Sequence, residues 1–316
     1  MAVPANTLQT VASLNNAEDV TNAIYMVSKM DHPMTSLAGS STADATYTEW
    51  PIDALPAINL NNATIEGDDA ALSVATTPSR VGNYCQTLNY AFGISTQQQA
   101  IRKYGVSDEK GRQTFKFGKA IANDFEAIIM NNQARVVGGA GTPAKLRGLP
   151  SWITTNISRG ATGANGSAST AATDGTPRNF TEALFKGVVV SCATNSNTMP
   201  TVVMAGIVGR ANLSSQLSGN TTRFNDMMDS TLNASITVYR SDYGNLKLVP
   251  NVRMRERDLF FISPDYIKIR TLEPLQRKKL ADTGLSEKYQ MWMNKTLEVS
   301  NEAAHGVLAD LNTAIL

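Results

Sequence analysis

Residues 107–132 read SDEKGRQTFKFGKAIANDFEAIIMNN, and the rest of the chain is organised around this stretch. Phe117, Ile121, Phe125, Ile128 and Asn132 recur at helical spacing, reinforced by Ile129. Lys116, Lys119, Asn123 and Glu126 trace the other face. Ser107 offers an N-cap, with Asp108 and Glu109 in the first turn, where the helix dipole favours acids. Gly138 and Gly139 offer a stop. The spacing predicts one amphipathic rod over 109–132, about 36 Å long at 1.5 Å per residue.

The segment before the rod has a different character. Thr46-Tyr47-Thr48-Glu49-Trp50 reads as strand, and Pro51, Pro56, Asn59, Asn61, Asn62, Gly67, Asp68 and Asp69 are turn residues. A second extended stretch runs from Leu72 to Leu88. Two such arms form a long hairpin-like loop; ten residues reach roughly 33 Å. A projection of that length cannot bury itself on its own core. Further upstream, residues 1–15 read as an extended arm. Asn16 then caps a short helix carrying Val20, Ile24 and Val27, and Pro33 is expected to stop it.

Downstream, residues 159–177 are Gly, Ala, Ser, Thr, Asn, Asp or Pro apart from Arg159, a composition that predicts a flexible linker between two units. Phe180 to Cys192 reads as helix. Thr201–Ala205 and Leu259–Ile262 read as buried strands. Ile236–Tyr239 and Leu246–Val249 flank a hairpin turn. Tyr289, Met291, Met293, Leu297 and Val299 alternate with polar residues, interrupted by Lys295 on the apolar side and Trp292 on the polar side. The fold class is α+β.

Composition and charge limit the functions available. The chain has 316 residues, 42% of them hydrophobic, and a net charge of +1. No run approaches the roughly 18 apolar residues that span a bilayer, and no secretory leader is apparent; neither membrane nor export is expected. The charge is unevenly placed: residues 1–100 carry two basic and nine acidic side chains, a net −7, and the remainder is +8. An acidic front and a basic back can meet within one copy or between copies.

Enzyme chemistry finds no footing. The only histidines are His32, beside Pro33, and His305, in a helix-like stretch, both read as surface or capping residues. A hydrolase needs a base beside its nucleophile. Cys85 and Cys192 read as buried thiols, and no ligand spacing suggests a metal or cofactor. Gly139-Ala140-Gly141-Thr142-Pro143-Ala144 matches a dinucleotide fingerprint, but it follows a helix where a strand is required, so it reads as a turn. Glu66, Asp68 and Asp69, like Asp124 and Glu126, read as solvated or intersubunit acids. Arg253, Arg255 and Arg257 alternate and would share one face of a strand. They and the Arg277-Lys278-Lys279 cluster could meet DNA, solvent or a neighbour's acids.

An ordered set of short patterns then adds to this reading: Thr48-Glu49-Trp50; Glu66-Gly67-Asp68-Asp69-Ala70; Arg80, Gly82, Asn83, Tyr84 and Gln86; Asp124 with Glu126; Gly148-Leu149 with Ser151-Trp152-Ile153 and Thr155-Asn156; Ser241-Asp242-Tyr243-Gly244; Leu280-Ala281 with Thr283-Gly284; Thr296-Leu297-Glu298; and Asn301-Glu302 with Ala304-His305. In this the chain resembles the major capsid proteins of tailed bacteriophages with the Hong Kong 97-type fold. Lys295 departs from the pattern, which leads one to expect an acid there.

The resemblance implies an N-terminal arm and short helix (1–39), an extended E-loop (40–90), a peripheral domain with a spine helix (91–158), the linker (159–177), an axial domain (178–275) and a return to the peripheral domain (276–316). It implies a non-enzymatic subunit that self-assembles into pentamers and hexamers of an icosahedral head, in the virion, put together in the host cytoplasm. Possible partners are scaffolding, portal and decoration proteins, with packaged double-stranded DNA touched non-specifically. An encapsulin-like nanocompartment shell is the alternative; a secreted adhesin or a hydrolase fits less well. The expected subunit-interface residues are Tyr47, Glu49, Trp50, Ile52, Asp53, Leu55, Glu66, Asp68, Asp69, Arg80, Arg253, Arg255, Arg257, Arg277, Lys278 and Lys279. The arm and first helix begin early in the chain, so no cleaved scaffolding segment is expected.

Overall fold

The computed structural model describes residues 32–314 apart from positions 54, 57, 68, 70, 71, 73, 74, 76, 104–107, 221–237, 242, 243 and 283. The arm and helix expected before residue 32, and Ser107, lie outside the described residues. In chain order the elements are α1 (Pro33–Leu37), β1 (Gly39–Thr42), β2 (Tyr47–Ile52), β3 (Ser79–Tyr84), β4 (Gln86–Ser95), α2 (Thr96–Ala100), α3 (Glu109–Ile129), α4 (Leu149–Trp152) and β5 (Ile157–Ser158). Then follow α5 (Glu182–Ser196), β6 (Val202–Ala205), α6 (Ile207–Asn220), β7 (Val238–Ser241), β8 (Gly244–Pro250), β9 (Leu259–Ile262), β10 (Ile267–Lys279), β11 (Ser286–Val299) and β12 (Gly306–Leu308).

The rod forms as α3, with two adjustments at its ends. Asp108 is the cap, its carboxylate accepting from the Lys110 and Gly111 amides at 3.0 Å each. The helix stops at Ile129, well before the Gly pair, because Met130 and Asn131 turn the chain into a loop. Its apolar face lies on a four-stranded sheet of order β1-β10-β11-β4. Ile121, Phe125 and Ile129 are buried there with Met291, Met293 and Leu297, and Phe117 stacks on Phe92 at 5.2 Å. Lys295, on the apolar side of β11, sets its ammonium over the Phe125 ring at 5.6 Å, and burial lowers its pKa.

A six-stranded sheet, β5-β12-β9-β6-β8-β7, forms the second unit. Strands β6 and β9 are buried at every position. Alternate residues face two cores: Val202, Met204, Phe260 and Ile262 join the α3 core, while Val203, Ala205, Leu259 and Phe261 pack with Phe185, Val188 and Val189 of α5. Their unbroken apolar runs follow from burial on both faces. The return segment differs from the 276–316 expectation. The four-stranded sheet resumes at Ile267, and Gly306–Leu308 goes back into the six-stranded sheet beside β5 and β9.

Several local readings are corrected. Pro33 opens α1 and does not end a helix; at the first helical position it has no amide to lose. Glu126, placed on the wet face of α3, is fully buried. Its Oε1 accepts from the Met34 amide at 2.7 Å and Asn251 Nδ2 at 2.8 Å; Oε2 accepts from the Thr35 amide at 2.9 Å and Thr35 Oγ1 at 2.6 Å. One carboxylate thus satisfies the first amides of α1 and ties α3 to the turn after β8. His305 is fully buried as well. Its Nδ1 accepts from the Ser263 amide at 3.2 Å, and burial pushes its pKa down to about 4.

The 159–177 segment has fixed contacts on both sides. Asn132 exchanges hydrogen bonds with the Ala172 backbone, Ser151 Oγ donates to Ser167 O at 3.0 Å, and the Gly160 amide donates to buried Asp310 at 3.1 Å. Residues 139–144 form a tight turn, with Gly139 bridged to Thr142 and Gly141 at φ +85°. No helix among the described residues is long and apolar enough to cross a membrane.

Candidate assembly surface

The loop expected to project rests on a rigid base. Strands β2 and β3 pair antiparallel from Tyr47↔Tyr84 to Ile52↔Ser79. Asn83 clamps the base: its Nδ2 donates to Leu297 O at 2.9 Å and its Oδ1 accepts from the Arg147 amide at 2.7 Å. Arg135 Nη1 donates to Tyr47 Oη and to Gly82 O, both at 2.8 Å. A Cβ on Gly82 would fall 2.8 Å from Thr48 O and the Tyr47 ring, so this close pairing requires glycine.

Alternation along β2 sorts the expected anchors. Thr48 and Trp50 point inward and Glu49 outward. Trp50, expected at an interface, is 5% exposed. It lies 5.5 Å from Trp152 and donates from Nε1 to Val299 O at 3.0 Å. It therefore fastens the loop base to its own chain. Tyr47 and Ile52 are half-buried, for the same reason of packing on the base.

Beyond Ile52 the surface changes. Leu55, Ile58, Leu60, Ile65 and Leu72 are 78–99% exposed. Glu49, Asp53, Glu66, Asp69 and Arg80 are exposed around them; Asp68 lies outside the described residues. Sequence reasoning found Leu55 but missed Ile58, Leu60, Ile65 and Leu72. Their spacing among prolines and asparagines has no period to mark them.

The basic residues divide into separate sites. Residues 251–258 form turns and not a strand, so the three arginines do not stand in one row: Arg255 and Arg257 converge on Asp174, and Arg253 does not. Arg255 pairs with Asp174 and, at 3.5 Å, with Asp258. Arg257 pairs with Asp174 at 3.1 Å and Asp310 at 2.8 Å. Both arginines are therefore committed within the chain. Burial pushes Asp258 up to about 6, against the pull of Arg255. Arg253 has no ion pair among the described residues. It lines an open cleft of about 280 Å³ at the C-terminal end of α3, with Ala127, Ile128, Met130, Asn131, Met254 and Arg255. On β10, Arg277 lies over the Tyr289 ring at 5.5 Å and donates to Thr114. Lys279 pairs with Asp282 at 2.8 Å, and Lys278 is exposed.

Among the described residues no three His, Cys, Asp or Glu side chains cluster as a metal site. Cys85 and Cys192 are free and buried, and burial pushes the Cys192 thiol up to about 12.

The chain is similar to known proteins in sequence and in fold. The sequence profile of the SU10 major capsid protein family matches residues 4–312. The major capsid protein of Escherichia phage Phieco32 is 32% identical over 114 residues, a match covering 36% of this chain and 32% of that protein's length. Among solved structures, the capsid of cyanophage A-1(L) aligns with a TM-score of 0.63 at 12% identity, over 96% of this chain and 98% of that one. The SrpI encapsulin of Synechococcus elongatus aligns with a TM-score of 0.60 at 9% identity, over 98% and 97%. The architecture is the Hong Kong 97-type capsid fold.

Proposed function

The chain belongs to the SU10 major capsid protein family, and from that premise we propose that it is the shell subunit of a tailed-bacteriophage head, closing with copies of itself into pentamers and hexamers. The observation that carries this reading is the loop between β2 and β3. Five aliphatic side chains stand 78–99% exposed on it, beside exposed acids, on a base fixed by Asn83, Arg135 and Trp50. So many exposed aliphatic side chains on one loop mark an interaction site. Identical copies repeating one heterologous contact close into rings, and modest contacts multiply across a shell.

Hydrophobic burial supplies most of the association energy in this reading, and charge matching between the acidic loop and basic surfaces sets register. Assembly therefore weakens as salt rises. The exposed end of β10, with Arg277, Lys278 and Lys279, is a surface suited to non-specific contact with packaged double-stranded DNA. Scaffolding, portal and decoration proteins are the further partners of such a head, which would assemble in the host cytoplasm. The encapsulin alternative shares the fold alone, whereas the family profile and the curated relative are both phage capsid proteins.

Native mass spectrometry of the purified chain tests the reading. Species at five- and six-fold multiples of the 33.9 kDa subunit mass are expected. A monomer that stays monomeric at all concentrations and salts would contradict it.

A further inference from the structure

We propose that the cleft at the C-terminal end of α3 is the seat for the Ile65-Glu66 pair of a second copy, with Ile65 in the cleft and Glu66 on Arg253. The inference rests on the self-assembling reading above and adds where the loop lands.

Three observations lead to it. The first is the arginine. Of the three alternating arginines, Arg255 and Arg257 are neutralised within the chain by Asp174, Asp258 and Asp310. Arg253 has no carboxylate partner among the described residues, and it is one of the residues lining the cleft. An arginine left over on an apolar wall selects an acidic visitor, since its planar donor fork matches a carboxylate.

The second is the cleft. Ala127, Ile128, Met130 and Met254 supply apolar walls around about 280 Å³. A dry apolar cavity of about 150 Å³ already holds a benzene-sized group, so this one accepts a branched aliphatic side chain with room for its neighbours. Methionine walls adapt to the shape of what enters.

The third is the visitor. Ile65 is 78% exposed and immediately precedes Glu66, also exposed and without an ion pair among the described residues. Gly67, at φ +83°, turns the chain directly after them. An apolar side chain and a carboxylate thus sit together at a turn, matching an apolar cleft with an arginine on its wall. No described residue of its own chain covers Ile65, so its side chain is open to a second copy.

The test is a charge exchange on the intact chain. Glu66→Arg and Arg253→Glu should each reduce shell yield several-fold, with the subunit's thermal unfolding little changed, since Glu66 is exposed and Arg253 only half-buried. The double variant should restore the yield. A second measurement locates the contact directly. With p-benzoylphenylalanine in place of Ile65, shells built from mixed ¹⁵N-labelled and unlabelled subunits are irradiated and digested. Crosslinks between labelled and unlabelled chains at 127–131 or 252–255 are expected. Failure of the double variant to recover, or crosslinks elsewhere in a neighbour, would overturn the proposal while shells still form. Crosslinks confined to one chain would overturn it too, as would finding the cleft filled by residues 1–31 in a shell reconstruction. If the unaltered chain forms no shells at all, the functional reading itself fails, and that outcome is visible before any variant is made.

Discussion

Replacing Glu126 with Ala should destabilise the subunit more than any exposed acid does, because this carboxylate joins three parts of the fold. It accepts from the Met34 amide, the Thr35 amide and hydroxyl, and Asn251 Nδ2. The Met34 and Asn251 bonds are buried, so those two donors stay dry when the acceptor is removed. Stranding a buried polar group costs about 1–3 kcal/mol. The two together cost about 2–6 kcal/mol, and relief from burying the carboxylate itself offsets part of this. A net loss of about 2–4 kcal/mol is expected, a large share of the roughly 5–15 kcal/mol that holds a domain together. Urea unfolding of unassembled subunits measures it, as a lower midpoint with unchanged slope. Glu126→Gln, which keeps one acceptor oxygen, should fall between the two. Glu49→Ala, on the exposed edge of β2, is the control. If Glu126→Ala unfolds at the same urea concentration as that control, the buried junction does not stabilise the fold as argued.

Two buried groups should give opposite pH slopes. His305, held down to about 4 by burial, binds fewer protons folded than unfolded, so its contribution is present above pH 6.5 and lost toward pH 4, by up to about 3 kcal/mol. Asp258, held up at about 6, binds more protons folded, so stability rises as pH falls from 6 toward 3.8. The wild-type curve is therefore flattened. Asp258→Asn should lose stability on acidification and His305→Gln should gain it; parallel slopes in the two variants would refute the assignment. Trp50→Ala removes the Trp152 contact and the bond to Val299 O, for about 3–5 kcal/mol. Trp50→Phe loses chiefly the hydrogen bond, about 1 kcal/mol, and calorimetry of the two separates packing from bonding. No lysine lies between Lys29 and Lys103, so the projecting loop has no amine for an isopeptide lock. Denaturing gels of mature particles should show one band near 33.9 kDa; a ladder resistant to boiling would show a covalent lock.

What could be read from the sequence was what local pattern dictates. Helix α3 was legible because Phe117, Ile121 and Phe125 recur at helical spacing, and β6 and β9 because strands buried on both faces are unbroken apolar runs. The strand at Tyr47–Ile52 was legible from Thr46–Trp50 and the turn residues that follow it. What escaped depends on distant partners. Helix α6 lacks a local cap, since Glu256 reaches across to accept from the Ile207 and Val208 amides at 3.1 and 3.0 Å. Strand β10 is nearly half charged and contains Pro274, which coincides with a break in its register against β11. Glu126 looked solvent-facing because its donors arrive from 91 to 125 residues away. At the assembly surface, charge type was legible, but whether an arginine is spent inside the chain was not. Arg255 and Arg257 differ from Arg253 in the carboxylates beside them: Asp174 from a loop some eighty residues earlier, Asp258 nearby and Asp310 near the end of the chain.

Negative-stain electron microscopy of the purified, concentrated chain tests the central claim most directly. The account predicts closed shells, or five- and six-membered rings, that form in lower yield as salt is raised during assembly. Isolated particles of single-subunit size at every concentration and salt would contradict it.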